Sequence, residues 1–340
     1  ASRCATATSS LEGSAARGQQ TAGRTGAGLV EHTHSERILG AVVDAHTVQM
    51  SSDLFAQVSD RVETVLDTVL TRRRRQSFLA AAGPFLLVIT FIEDGLRVPM
   101  RWTEQVQYMT RVMKFNWAFG VLGLLVSATT QLVCSALVLR PSHIKPSRVK
   151  PACYGLLAFV GVQPFMYGQT RDLDFMCRSV TLAGGLLLLI WSENDRQRRS
   201  EDVGLPQGMT QESGADRLQL SGRLLLTFLF FFQALWSENG GLHQIFTRPR
   251  FFSVACALLL LGLSGLVCVG FKTEWSAVLL AAVLGVSSVY MYPFWAVDER
   301  LMDFYRYYFF QTLSIIGGLM LLALHGPGGI SLDKGAKKSI

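Results

Sequence analysis

The chain has 340 residues, of which 49% are hydrophobic and only 17% charged, and its mean hydropathy is +0.30. Ordinary soluble domains carry about a quarter charged residues, so a soluble fold is excluded and a chain largely dissolved in lipid is indicated. A net charge of +7 would suit nucleic acid. In a membrane protein, however, Lys and Arg collect in loops on one side of the bilayer, and no nucleic-acid role is expected.

Residues 1–52 are rich in Ala, Ser, Thr, Gly and Gln and bury too little apolar surface to fold. Arg3, Arg17 and Arg24 with few acids would also suit a transit peptide, but the composition favours a disordered cytosolic tail. Residues 53–75 predict an amphipathic cytosolic helix ending in a basic stop. Leu54, Phe55, Val58, Val62, Val65, Leu66 and Val69 recur at helical spacing, with Asp60, Arg61, Glu63 and Asp67 opposite. Arg72 to Arg75 follow directly.

Charge-free runs then predict an all-α polytopic membrane protein with eight transmembrane helices. They cover residues 76–92, 115–139, 151–170, 179–192, 224–237, 251–271, 275–297 and 307–324. The fourth and fifth runs are too short to span alone. Their helices must extend through Arg178 and Arg223, which are expected to snorkel to the interface. Eight spans put both termini on one side, and the loops on that side carry the larger share of Arg and Lys. Both termini are therefore expected in the cytosol.

The runs divide into two tandem four-helix repeats, residues 76–200 and 218–326, joined by a cytosolic linker at 201–217. With an offset of 133 residues, Ser179 to Leu182 fall on Thr312 to Ile315, and Gly184-Gly185 fall on Gly317-Gly318. Leu132-Val133-Cys134 pairs with Leu266-Val267-Cys268, Pro164-Phe165 with Pro293-Phe294, and Thr90-Phe91 with Thr227-Phe228. Four helices per copy give both halves one orientation and predict a pseudo-two-fold axis along the membrane normal. Residues 327–340 form a cytosolic tail.

Charge next to apolar runs marks the candidate site. Glu93 and Asp94, with Arg97 one turn on, sit where the first run ends on the lumenal side. Two adjacent acids there are costly unless paired or wet. Arg171, Asp172, Asp174 and Arg178 lie on the same side, with Asp174 and Arg178 spaced to pair on one helix face. Asp298, Glu299, Arg300, Asp303 and Arg306 read as their counterparts in the second half. Tyr305, Tyr307, Tyr308, Phe309 and Phe310 read first as an interfacial aromatic belt. Gln131, Gln163 and Gln169 predict hydrogen bonds between helices, and the two Gly-Gly pairs predict close helix packing. The six cysteines form no disulfide framework and the histidines show no ligand spacing. No catalytic motif, cofactor motif or metal site is expected.

The chain ends Lys337-Lys338-Ser339-Ile340. Lysines third and fourth from a cytosolic C-terminus make a dilysine signal, an address read by coatomer.

TFIEDGLR (90–97), GGLLLLI (184–190), GFKT (270–273), FFQTLSIIGGLMLL (309–322), GPGG (326–329) and the terminal KKSI, in that order, resemble the surfeit locus protein 4 family from about residue 53 to the end. The resemblance implies a receptor of the endoplasmic reticulum membrane, cycling through the ER–Golgi intermediate compartment and early Golgi. It would bind soluble secretory cargo in the lumen, connect it to the ER-export coat, and return through coatomer. Cargo in that family is recognised through short apolar signals near mature N-termini. A lumenal mouth between the repeats would then hold an apolar peptide, with Glu93 or Asp94 pairing its free amine. Arg97, Asp172, Asp174, Arg178, Asp303 and Arg306 would complete the mouth. The halves also resemble the four-helix DoxX-like superfamily, which implies the alternative of a small-molecule, lipid or quinone-binding protein.

Changing Lys337 and Lys338 together to Ser is expected to move the steady-state distribution from endoplasmic reticulum towards Golgi, as seen by organelle fractionation. An unmoved distribution would make the lysine pair fortuitous.

Overall fold

A backbone in lipid has no water to bond, so a charge-free run of this length must satisfy its own N–H and C=O groups as a helix. The computed structural model describes residues 72–139, 148–201, 212–236 and 251–326, with 57, 328 and 331, and its regular elements among these are all helical. The amino-terminal tail, most of the predicted amphipathic helix, most of the linker, and Lys337 and Lys338 lie outside the described residues.

Helix α1 spans Arg72–Met100. A short α2, Trp102–Gln107, and a π-helical turn, Tyr108–Val112, lead to α3, Trp117–Leu139. Then follow α4 Val149–Met166, α5 Leu173–Glu201, α6 Glu212–Trp236, α7 Phe251–Val269, α8 Thr273–Met291 and α9 Glu299–His325. Within α1, α3, α5, α6, α8 and α9 lie six stretches long and apolar enough to cross a bilayer. The third and sixth predicted runs fall on α4 and α7. The chain is an all-helical membrane protein.

Two expectations need correction. Helix α1 does not stop at Ile92 but continues to Met100, carrying Glu93, Asp94 and Arg97 along the bundle. Helices α5 and α6 do extend through Arg178 and Arg223, yet neither arginine snorkels: they are only 2% and 1% exposed. Arg178 is drawn inward because Thr312, Tyr292 and Tyr308 meet it with polar and aromatic groups, which costs less than leaving a guanidinium in an apolar wall.

The packing has the same neighbours in both halves. α1 packs on α3, α3 on α4 and α4 on α5; equally, α6 packs on α7, α7 on α8 and α8 on α9. The closest pairings cross between halves: α9 on α1, and α5 on α6. Glycine makes these crossings possible. A Cβ on Gly317 would lie 2.3 Å from the Leu87 amide nitrogen, and one on Gly184 would lie 2.5 Å from that of Leu226. Gly185 and Gly318 face each other where α5 meets α9, each with the other's Cα among its nearest atoms. A hydroxyl follows in both crossings. The Thr90 amide donates to Ser314 Oγ at 3.2 Å, and the Leu229 amide to Thr181 Oγ1 at 3.1 Å. The two cores also exchange side chains. Leu79 and Leu188 sit with the second-half core, while Leu218 and Leu321 sit with the first.

These contacts reset part of the sequence alignment. Gly83 with Leu87 on α1 plays the role of Gly222 with Leu226 on α6, so Thr90 corresponds to Leu229. The pairing of Thr90 with Thr227 is two residues out of step. On α4 the buried positions Val149, Ala152, Cys153, Leu156, Val160 and Pro164 recur on α8 as Thr273, Ser276, Ala277, Leu280, Leu284 and Ser288. Pro164 therefore answers to Ser288 rather than Pro293. Two prolines in apolar surroundings align by eye, but a helix register is set by which face it buries.

The glycines directly after α9 pack on the same bundle. Gly326 closes α9 at φ +74, and Gln219 Nε2 donates to its carbonyl at 3.1 Å. Gly328, also at positive φ, lies against the Gln219 amide.

Gly184→Ala and Gly317→Ala are each expected to destabilise the protein by about 1–3 kcal/mol or more, because the backbone they meet cannot yield as a side chain can. Gly161, with nothing within 4 Å of its would-be Cβ, is the control. Gly161→Ala should be neutral or stabilising by up to about 1 kcal/mol. Unfolding of the purified protein in detergent checks both.

Candidate functional site

The close passage of α9 over α1 brings two charged sequences together at the end of the bundle opposite Arg72 and His325. Gly95 helps by letting α1 approach α3: its would-be Cβ lies 2.9 Å from Leu132. Glu93 and Asp94 are consequently buried, at 5% and 4% exposed. Asp94 takes a hydrogen bond from Arg97 one turn on, as the spacing predicted. Glu93 Oε1 faces Arg306 Nε of α9 at 2.9 Å, an ion pair off the hydrogen-bonding direction. Among the described residues, none donates a hydrogen bond to either Glu93 carboxylate oxygen or to Asp94 Oδ2. Arg101 and Asp303, half-buried, pair at 2.6 Å and close the rim.

Tyr307 packs beside this acidic cluster. The Arg97 guanidinium lies 5.6 Å from its ring centroid. Gln163 of α4 donates to its hydroxyl at 3.2 Å, and Gln311 reaches it at 3.5 Å. Phe175 of α5 stacks on it at 6.1 Å. Beside the cluster, Tyr108 donates its hydroxyl to the Tyr167 carbonyl at 3.2 Å. Burial pushes the Tyr167 phenol above its ordinary pKa, with the Asp94 carboxylate adding to the effect, so that phenol stays neutral.

A second cluster centres on Arg178. Its Nε donates to Asp174 at 2.8 Å, its Nη1 to Thr312 at 3.3 Å and its Nη2 to the Tyr292 hydroxyl at 2.7 Å. The guanidinium also lies 4.8 Å from the Tyr308 ring centroid and 5.4 Å from that of Tyr292. Cation–π contact and hydrogen bonds together replace the lost hydration. Burial raises the Tyr292 phenol above its usual pKa, so it too remains neutral. Tyr307 and Tyr308 meet edge to face at 5.9 Å, which sets the two clusters side by side.

The structure thus joins Glu93, Asp94, Arg97, Asp303 and Arg306 in one cluster and Asp174 with Arg178 in another. Asp172 belongs to neither. It is exposed, and its Oδ1 accepts the Phe175 amide at the start of α5, the geometry of a helix cap. Asp303 and Arg306 do not mirror Asp174 and Arg178; they cross to Arg101 and Glu93 of the other half. Tyr307 and Tyr308 turn inward instead of forming a belt. Gln163 makes the expected bond between helices, whereas Gln131 donates to Ser127 within its own helix at 3.1 Å, and Gln169 is exposed. Tyr292, Gln311 and Arg101 escaped the sequence reading. The one available signal was Arg178 itself, since a buried guanidinium requires acceptors and aromatic faces from elsewhere.

The family model described as the SURF4 family matches residues 53–339. A Surfeit locus protein 4 homolog of Schizosaccharomyces pombe is 34% identical over 263 residues, covering 76% of this chain and 82% of that protein. A Surfeit locus protein 4 homolog of Drosophila melanogaster is 31% identical over 294 residues, covering 86% of this chain and 100% of its own length. The ER-derived vesicles protein ERV29 of Saccharomyces cerevisiae is 27% identical over 287 residues, covering 83% and 84%. No solved structure matches.

Arg178→Lys is expected to destabilise by about 1–3 kcal/mol, because an ammonium cannot serve three partners and two ring faces at once. Arg101→Gln, at the half-buried rim, should cost at most about 1 kcal/mol. Thermal unfolding of the two variants in detergent gives the comparison.

Proposed function

The chain belongs to the SURF4 family, and we propose that it is an endoplasmic reticulum cargo receptor for ER-to-Golgi transport. In this reading all eight long helices cross the membrane as two tandem repeats, 76–200 and 218–326, with both termini in the cytosol. The end carrying Glu93 and Arg178 then faces the lumen. Soluble secretory cargo binds there, the ER-export coat gathers the loaded receptor into vesicles, and coatomer retrieves it through Lys337 and Lys338. The name of the yeast relative, an ER-derived vesicles protein, supports the vesicle itinerary.

The observation that carries the site is the Glu93 carboxylate. It is buried and ion-paired with Arg306, and among the described residues no hydrogen bond uses its acceptor capacity. A peptide amine entering the mouth would complete it, adding charge-assisted hydrogen bonds in place of water. Asp94 is less suited, because Arg97 already holds it. Arg306 would steer the carboxylate, and Asp303 with Arg101 would hold the rim. Asp174 and Arg178 would brace the neighbouring wall, and Asp172 would cap the helix that bears them. No catalytic step or cofactor enters this mechanism.

Glu93→Gln should preserve shape and remove the charge. Loss of one charge-assisted hydrogen bond, about 1.5–3 kcal/mol, predicts roughly tenfold weaker cargo binding or more and correspondingly slower secretion. Asp94→Asn should act instead by lowering receptor stability. Pulse-chase secretion of soluble cargo at matched receptor levels separates the two. Unchanged export with Glu93→Gln would remove Glu93 from the binding site.

A further inference from the structure

At the opposite end of the bundle from Glu93 and Asp94, a cleft of about 760 Å³ opens among α1, α3, α4, α5 and α9. Ligand sites are typically about 300–1,000 Å³, and the cleft falls within that range. Its walls are apolar: Ala81, Val138, Val149, Leu189 and Leu321. Its mouth is not. Trp191, Glu193, Asp195, Arg196 and His325 gather there, on the last turns of α5 and α9. The His325 ring is fixed, with Nδ1 at 2.9 Å from the Leu321 carbonyl and the Trp191 ring edge-on at 5.3 Å. Glu193 is the less exposed of the acid–arginine pair. Its Oε1 stands 3.9 Å from Arg196 Nη1, too far for a hydrogen bond.

Apolar walls closing into a charged mouth at the ends of membrane helices match an amphiphile lying at headgroup depth. Tryptophan favours that depth too. The order of charges narrows the occupant. Carboxylates beside a guanidinium complement a headgroup that carries an ammonium beside a phosphate. A primary ammonium can donate hydrogen bonds to Glu193, while a quaternary one cannot. The apolar walls offer an ion nothing to replace its hydration. We propose that this cleft binds a bilayer phospholipid with a primary-ammonium headgroup. Its ammonium lies at Glu193, its phosphate at Arg196, and one acyl chain lies along Leu189 and Leu321. The site is separate from the cargo mouth and does not depend on the receptor reading.

The test uses the full chain in nanodiscs of phosphatidylcholine. These carry a trace of phosphatidylethanolamine or phosphatidylcholine bearing a diazirine on one acyl chain. The ethanolamine probe should label peptides around Leu189 and Leu321 about tenfold more than the choline probe, the worth of one charge-assisted hydrogen bond. Ala81→Trp, which fills the cleft from an exposed wall position, should abolish that labelling without changing the unfolding temperature. Glu193→Gln should retain labelling but erase the preference between probes. Excess soluble glycerophosphoethanolamine should fail to compete, because it lacks the chain. Equal labelling by the two probes in the unsubstituted protein would overturn the proposal without involving any variant. Labelling undiminished in Ala81→Trp, or removed by the soluble headgroup, would also overturn it.

Discussion

The structure depends on two places where helices touch backbone to backbone. Gly317 rests on the turn of α1 between Gly83 and Leu87, and Gly184 on the turn of α6 between Gly222 and Leu226. In lipid no hydrophobic force separates helix–helix from helix–lipid contact, so close packing and a few hydrogen bonds must supply the cohesion. Glycine permits the approach, and the hydroxyls of Ser314 and Thr181, one turn away, add the polar tie. Both crossings join one half to the other. Neither half keeps its own ends: the last helix of each is closest to the first helix of its partner half.

Everything at the charged end follows from that exchange. Because α9 lies on α1, Arg306 reaches Glu93 and Asp303 reaches Arg101. Because α5 meets α9, Arg178 reaches Tyr308 and Thr312. Helices in matching chain order have matching neighbours, while the charges they carry differ. In the register set by Leu87 and Leu226, Glu93, Asp94 and Arg97 stand where the second half has Phe232, Gln233 and Trp236. Asp174 and Arg178 stand where it has Tyr307 and Gln311. The bundle therefore frames one acidic cluster, in which Arg306 and Asp303 of α9 meet Glu93 and Arg101, and one arginine–tyrosine cluster, in which Arg178 meets Tyr292, Tyr308 and Thr312.

Polar groups at the two ends do different work. Around Arg178 each nitrogen of the guanidinium has an acceptor and two rings cover its faces, so the cluster locks α5, α9 and the segment after α8. Among the described residues, Glu93 is held by charge alone and keeps acceptors in reserve. At the other end, Glu193 and Arg196 stand apart at the mouth of an apolar cleft. Saturated clusters specify a fold, whereas unsaturated ones in reach of solvent or lipid are where a ligand can add something.

The sequence by itself determined the class of the protein. Charge-free runs in lipid have no alternative to helix, so the positions of the helices, the extension of α5 and α6 through their arginines, and the pairings of Asp94 with Arg97 and Asp174 with Arg178 could be read from spacing. The Gly-Gly pairs pointed to the crossings, since close packing needs small residues at fixed places. Tertiary structure alone decided the rest. The register of α1 on α6 and of α4 on α8 depends on which face each helix buries, and apolar sequences look alike on every face. Whether Arg178 reached for water or turned inward depended on Tyr292 and Tyr308, more than a hundred residues away. That Glu93 would meet Arg306 could not be seen either, because the pairing is made by a helix crossing and by nothing local to either residue.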